Sequence, residues 1–279
     1  MPPIEIITEG KEAMENSELI KMISNNPYAI VSIDHPTEEM KLAAVKSNGL
    51  LLEYIDHPTV QMQEAALENH ARAIKFIEHP TEEMMLNAIQ SGWTNLEYIK
   101  HPTRTVIDLA LSQAGWAIKY VDHPSEELQL SAVRKNYDAI KFIAEPYESV
   151  QEAAVRIHYE ALRFILSPAF HTELIAVQSN EGAIKFIHDL NKNKILEFLK
   201  VNYLVIKYVY NEVTKDELEM VLKEVLSREN VDEKYVRDYI NYNSSDPGSF
   251  APIDRLMLVH QYGSRKAKKI AVDEKLRQK

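Results

Sequence analysis

Ten histidines stand in this chain of 279 residues, and five of them, His35, His57, His79, His101 and His123, each precede a proline at an interval of 22 residues. Imidazole is both a metal ligand and an acid–base group near neutral pH, so such a file raises two chemistries. The spacing argues against metal. Ligands of one ion lie within about 4–5 Å of each other, whereas successive packed helix layers are separated by roughly 10 Å. The five are therefore predicted to be turn residues whose imidazoles bond backbone carbonyls between two helices. As a corollary, their joint protonation at roughly pH 5–6 would loosen the turns. There is no cysteine, which removes disulfides, thiolate metal sites and a cysteine nucleophile together. No Gly-x-Ser-x-Gly, His-Glu-x-x-His or phosphate-cradling glycine loop occurs. Adjacent carboxylates such as Glu38-Glu39 and Glu82-Glu83 stand where helix starts use them. No catalytic group, metal or cofactor is expected, and the chain reads as a non-enzyme.

Two other sets of residues are suited to recognition. The first is a basic file, Lys75, Lys119, Lys141, Arg163, Lys185 and Lys207, broken by Glu53 and Glu97, with Arg265, Lys266, Lys268 and Lys269 near the C-terminus. Cations in a row can follow backbone phosphates. The plainer alternative is a solvated face paired with Glu38, Glu82, Glu126 and Glu148, each pair contributing little. Residues 264–279 hold seven basic and two acidic residues, net +5, which leaves −15 on residues 1–263. So acidic a body is a poor general phosphate binder. The tail is open to nucleic acid, an acidic partner or its own body, and equally to fraying.

The second set is aromatic. Trp93, Tyr137, Tyr159 and Tyr203 fill one column in which other repeats carry Gly49, Ala71, Gly115 or Glu181, and Trp116 stands beside it. Rigid aromatics are enriched as interface anchors, though packing against the next repeat would also explain them. Lys100, Arg104 and Ile107 occupy slots that are acidic or polar elsewhere. Residues 93–116 are thus the first choice for a partner site.

These side chains are positioned by a repeat. Read at the 22-residue period, Ala44, Ala66, Ala88, Ala110, Ala132, Ala154 and Ala176 form one file, followed by Val45, Leu67, Ile89, Leu111, Val133, Val155 and Val177. A small residue beside a branched one suits close helix approach. Met40, Met62, Met84, Val106, Leu128 and Val150 lie four residues earlier, on the same helical face. The first helix of each repeat is predicted from about Thr37 to Ser47, with Thr37, Thr59, Thr81, Thr103 or Ser125 as N-cap. Asn48, Gly92, Asn136, Asn180 or Asn202 follows, residues that tolerate left-handed backbone. A shorter second helix carries the Ala-Ile-Lys-Phe-Ile motif, with Ile30 to Ile206 and Ile33 to Val209 as its apolar files, and the proline ends it.

A period of 22 residues with two short helices is the signature of a solenoid. The reading is an all-α, right-handed α-solenoid of about nine two-helix repeats over residues 17–225. A lead-in over 1–16, a C-terminal helical cap over 226–263 and a basic tail over 264–279 complete it. The cap is expected to hold a helix near 232–240, a turn over 243–248 and a helix over 253–262. The N-terminus carries acids and no apolar run, and no stretch reaches eighteen apolar residues, so no membrane span and a cytoplasmic location are expected.

The string AAVKSNGLLLEYIDHP over 43–58, echoed over 131–142, resembles the short two-helix repeats of uncharacterised bacterial and bacteriophage proteins. It is more distantly similar to leucine-rich-repeat variants and HEAT-like repeats. The resemblance covers residues 17–225 and implies a binding α-solenoid, with a bacteriophage origin and a host or defence complex as target among its implications. Expected function is that of a protein-binding scaffold or inhibitor; the alternative is a nucleic-acid-binding solenoid using the basic file and tail.

Overall fold

The computed structural model describes residues 4–243, 245 and 254–277, with residues 4–14 as backbone only. The described residues are helical throughout, with no strand, and the fold is an α-solenoid of about nine repeats. The chain divides into two compact units, Met1–Lys135 and Asn136–Lys279. In the first, a helix over Ile4–Asn25 runs unbroken across the expected boundary at residue 16. Five pairs follow, each a six-residue 3₁₀ helix and a ten-residue α-helix, such as Ala71–Phe76 with Glu82–Ser91 and Trp93–Tyr98 with Arg104–Gln113. The second unit continues the pattern from Tyr137–Phe142 with Glu148–Ile157 to a last short helix, 3₁₀ over Tyr203–Val205 and α over Ile206–Val209, and its partner Lys215–Leu226. Helices over Glu233–Asn241, Arg255–Tyr262 and Arg265–Arg277 close that unit.

The alanine file lies where the helices come closest: none of its seven members is more than 1 % exposed. The branched file beside it is as deeply buried except at Leu67, which is half-buried. At three residues per turn the short 3₁₀ helix sets Ile74 and its C-cap residue Ile77 on one buried edge. Its backbone closes by bonds such as Ile77 N–H to Ile74 O at 3.2 Å.

Turn chemistry follows the sequence in one place and departs from it in two. Thr37, Thr59, Thr81 and Thr103 accept from Met40, Met62, Met84 and Val106 N–H, and Ser125 from Leu128 N–H, so every expected N-cap is made. The asparagine column is not left-handed. Asn48, Asn136, Asn180 and Asn202 have φ between −144° and −152°, extended backbone. At all of these but Asn136 the side chain caps the next 3₁₀ helix, as Asn48 Oδ1 accepts from Leu50 N–H, and in the same column His70 Nδ1 accepts from Arg72 N–H. Left-handed backbone occurs instead at His35, His57 and His123, with φ of 55°, 51° and 47°. Nor do the five His-Pro imidazoles bond carbonyls. All are exposed and make no hydrogen bond among the described residues, so the bonds on which the expected loosening of the turns rested are not made.

The tail is also corrected. Residues 265–277 form a helix capped by Ser264, with Ala267, Ile270 and Ala271 buried and Glu274 bonded to Arg237 and to Asn241 Nδ2. Helix Arg255–Tyr262 is seen where one was expected, and the turn over 243–248 falls largely outside the described residues.

One core position is a misfit. Gln63, Gln129 and Gln151 stand 22 or 66 residues apart and donate Nε2 to the carbonyls of Pro58, Pro124 and Pro146 at 3.1–3.2 Å. Glu173 holds the next place in this file, fully buried, and an ionised carboxylate has nothing to donate. Lys194 Nζ forms an ion pair with its Oε2 at 2.8 Å, although neither oxygen meets the geometry of a hydrogen bond. Burial pushes the carboxyl up. An acid whose folded pKa lies above its unfolded value costs stability at neutral pH, and the cost vanishes as pH falls through the folded value. We expect Glu173→Gln to raise the melting temperature at pH 7 by roughly 2–4 °C, a gain of ~1 kcal/mol. The gain should shrink as the pH is lowered toward about 4. Circular dichroism melts at both pH values check this, and a variant that melts lower at pH 7 refutes it.

Candidate partner-binding site

The 3₁₀ helices of each unit lie beside one another, so their exposed slots make a continuous strip within that unit. The basic file lies on this strip, but its partners are rings. Lys75 Nζ sits 4.4 Å from the Phe76 centroid, and Lys119 Nζ 4.3 Å from Tyr120 and 5.8 Å from Trp93. In the second unit Lys141 lies over Phe142 and Phe164, Arg163 over Phe164 and Lys185 over Tyr208, at 4.9–5.8 Å. These distances are within reach of cation–π attraction. Lys141 also pairs with Asp138 at 2.8 Å, and Lys207 with Glu181 at 3.1 Å. Of the acids expected to neutralise the file, Glu38 pairs with Lys41 and Glu82 accepts from Thr103.

The aromatic column divides by environment. Trp93 is half-buried with its ring 6.3 Å from Tyr120 of the next repeat. Tyr137 and Tyr159 are half-buried and stack on either side of His158, at 4.8 and 5.2 Å. Trp116 is 37 % exposed. Tyr203 departs from the expectation of a partner contact: it is 2 % exposed and meets Tyr235, Tyr239 and Tyr242 edge to face, and burial pushes its phenol up to about 12. The larger tyrosine content of residues 235–242 encloses it, a contact no 22-residue column could reveal.

Two grooves, of about 380 and 610 Å³, share the turn Lys100-His101. Lys75, Phe76, His79 and Tyr98 line the first; Glu97, Ile107, Tyr120 and Asp122 line the second. Lys100 is exposed and makes no ion pair among the described residues, whereas Asp34, Asp56, Glu78 and Asp122 fill its slot in other repeats of the unit. Ile107 is buried and forms groove wall rather than an exposed contact. Arg104 points its Nε at Asp108, 2.8 Å away, and its Nη2 at Glu127, 3.1 Å away, so part of its fork is used within the fold. Asn95, in a slot where neighbours have alanine, is buried and donates to Ala88 O at 2.8 Å. Lys100, Ile107 and Tyr120 therefore meet at one groove with Trp93 packed on Tyr120, and Tyr137, Tyr159 and Tyr203 belong to the other unit. The cations Arg265, Lys266, Lys268 and Lys269 are exposed on the last helix.

Among the described residues no three His, Asp or Glu side chains are grouped to hold a metal, and no helix is long and apolar enough to cross a membrane. No known family model, curated protein or solved structure matches the chain.

Burial separates anchor from core. Tyr203→Ala should cost roughly 3 kcal/mol or more, because it empties a site closed by three rings. Trp116→Ala should stay within about 0.5 kcal/mol, as surface substitutions do. Trp93→Ala should fall between them, and thermal melts of the three variants order them.

Proposed function

We propose that the chain is a non-enzymatic protein-binding solenoid, a scaffold or inhibitor that engages its partner at the exposed edge of repeat four. The observation that carries this reading is the pair of grooves on either side of Lys100-His101, where a lysine without an internal partner replaces the acid of neighbouring repeats. Grooves of this size accept side chains, and Phe76, Tyr98 and Tyr120 give them the aromatic walls that interface anchors favour. The first unit carries 20 acidic and 11 basic residues, net −9, so Lys100 is a local positive mark on a negative surface. Such a mark orients one complementary acid of a partner and repels a polyanion.

A nucleic-acid reading is favoured by one observation, the cations laid over rings along the 3₁₀ strip, a combination that also suits stacked bases. The acids Glu53, Glu97, Glu160 and Glu181 on or beside the same strip work against it.

Affinity capture from the native host, with the bound species titrated against salt, separates the two. Lys100→Glu should weaken a protein partner about tenfold, and Trp116→Ala with Trp93→Ala should weaken it further. For phosphate tracking, affinity would instead fall by roughly 10³ or more between about 50 and 200 mM salt. Unchanged capture by Lys100→Glu would sink the repeat-four site.

A further inference from the structure

The last two helices leave a second surface that stacking does not explain. Between Arg255–Tyr262 and Arg265–Arg277 lies a groove of about 380 Å³. Its wall is apolar: Leu256 and Val259 on one helix, Ala271, Val272 and Leu276 on the other. Val272 is 58 % and Leu276 64 % exposed, on a helix whose opposite side is buried through Ala267 and Ile270. Lys268 and Lys275 stand on the rim, and neither makes an ion pair among the described residues. By contrast Glu274, one of two acids on the same helix, is turned to Arg237 and Asn241 and spent within the fold. What remains facing the groove is apolar surface with two free ammonium groups seven residues apart, about 10 Å along the helix axis.

We infer that this groove docks an amphipathic helix of a partner protein, one carrying an aliphatic stripe flanked by two carboxylates spaced seven residues apart. The stripe fills the trough between Leu256, Val272 and Leu276, and the carboxylates meet Lys268 and Lys275. Two neighbouring helices with an apolar cleft between them accept a third helix by ordinary ridge-into-groove packing. A basic apolar helix also suits an anionic bilayer, but here the apolar surface is a concave trough between two helices, which a bilayer surface does not enter. Asp273 on the same helix further opposes an anionic surface. The site is separate from repeat four, and its variants leave residues 93–116 untouched, so either reading can fail alone.

The test uses the full chain and two labelled synthetic helical peptides of eighteen residues with the same leucine stripe, flanked by glutamates seven apart in one and by lysines in the other. Fluorescence anisotropy should show the glutamate peptide binding at least about tenfold tighter than the lysine peptide. Lys268→Glu with Lys275→Glu should reverse that preference, and Leu276→Glu should abolish binding of both, with melts confirming that the variants remain folded. Equal binding of the two peptides, or none, overturns the inference. So does binding to vesicles of phosphatidylserine and phosphatidylcholine that Leu276→Glu abolishes, which would assign the groove to a bilayer. Self-association in sedimentation equilibrium that Leu276→Glu abolishes would assign it to a second copy and overturn the inference equally.

Discussion

A pair of helices totalling sixteen residues has an apolar side that it cannot cover by itself, and everything else in this protein follows from that deficit. Each pair must lie against the next, and the approach must be close, because short helices have little length over which to bury area. Alanine at the point of approach lets the backbones come near, and a valine, leucine or isoleucine beside it fills what the alanine leaves open. Where Phe198 and Leu199 replace that couple in the last regular repeat, both are still fully buried, and the unit passes from regular repeats to the larger tyrosine cluster that closes it.

Close packing multiplies turns, and each turn exposes backbone groups that need partners. The chain meets this need with a short list of side chains used again and again. Threonine or serine opens the α-helix, asparagine or histidine opens the 3₁₀ helix, and glutamine reaches back to the proline carbonyl. These residues look like candidate chemistry in a linear reading, since they include His70, His158 and polar groups in the core. Their partners show them to be fasteners. The departures are then the informative places: Glu173 where glutamine belongs, Asn95 where alanine belongs, Lys100 where an acid belongs.

The proposed recognition surfaces lie where a repeat stops serving its own packing. Lys100 is left over after its unit's ion pairs are made, and Val272 and Leu276 are left over after the last helix has buried its inner side. In each case the surplus is a mixture of apolar area and positive charge within a groove, the combination on which the proposed docking rests.

Periodicity was enough to read the architecture. The alanine and branched files, the N-caps and the two-helix repeat are local or nearest-neighbour matters, and a 22-residue spacing reports them directly. Side-chain company could not be read in the same way. The column that joins Trp93, Tyr137, Tyr159 and Tyr203 is one place in the repeat but four different environments, because what surrounds each depends on residues outside the period, such as Tyr235 and Tyr239. Which backbone turned left-handed, whether lysines met acids or rings, and whether the basic tail frayed or packed were likewise decided only by tertiary structure. Spacing specifies which residues repeat together, whereas burial and partnership depend on distances between elements that no single repeat contains.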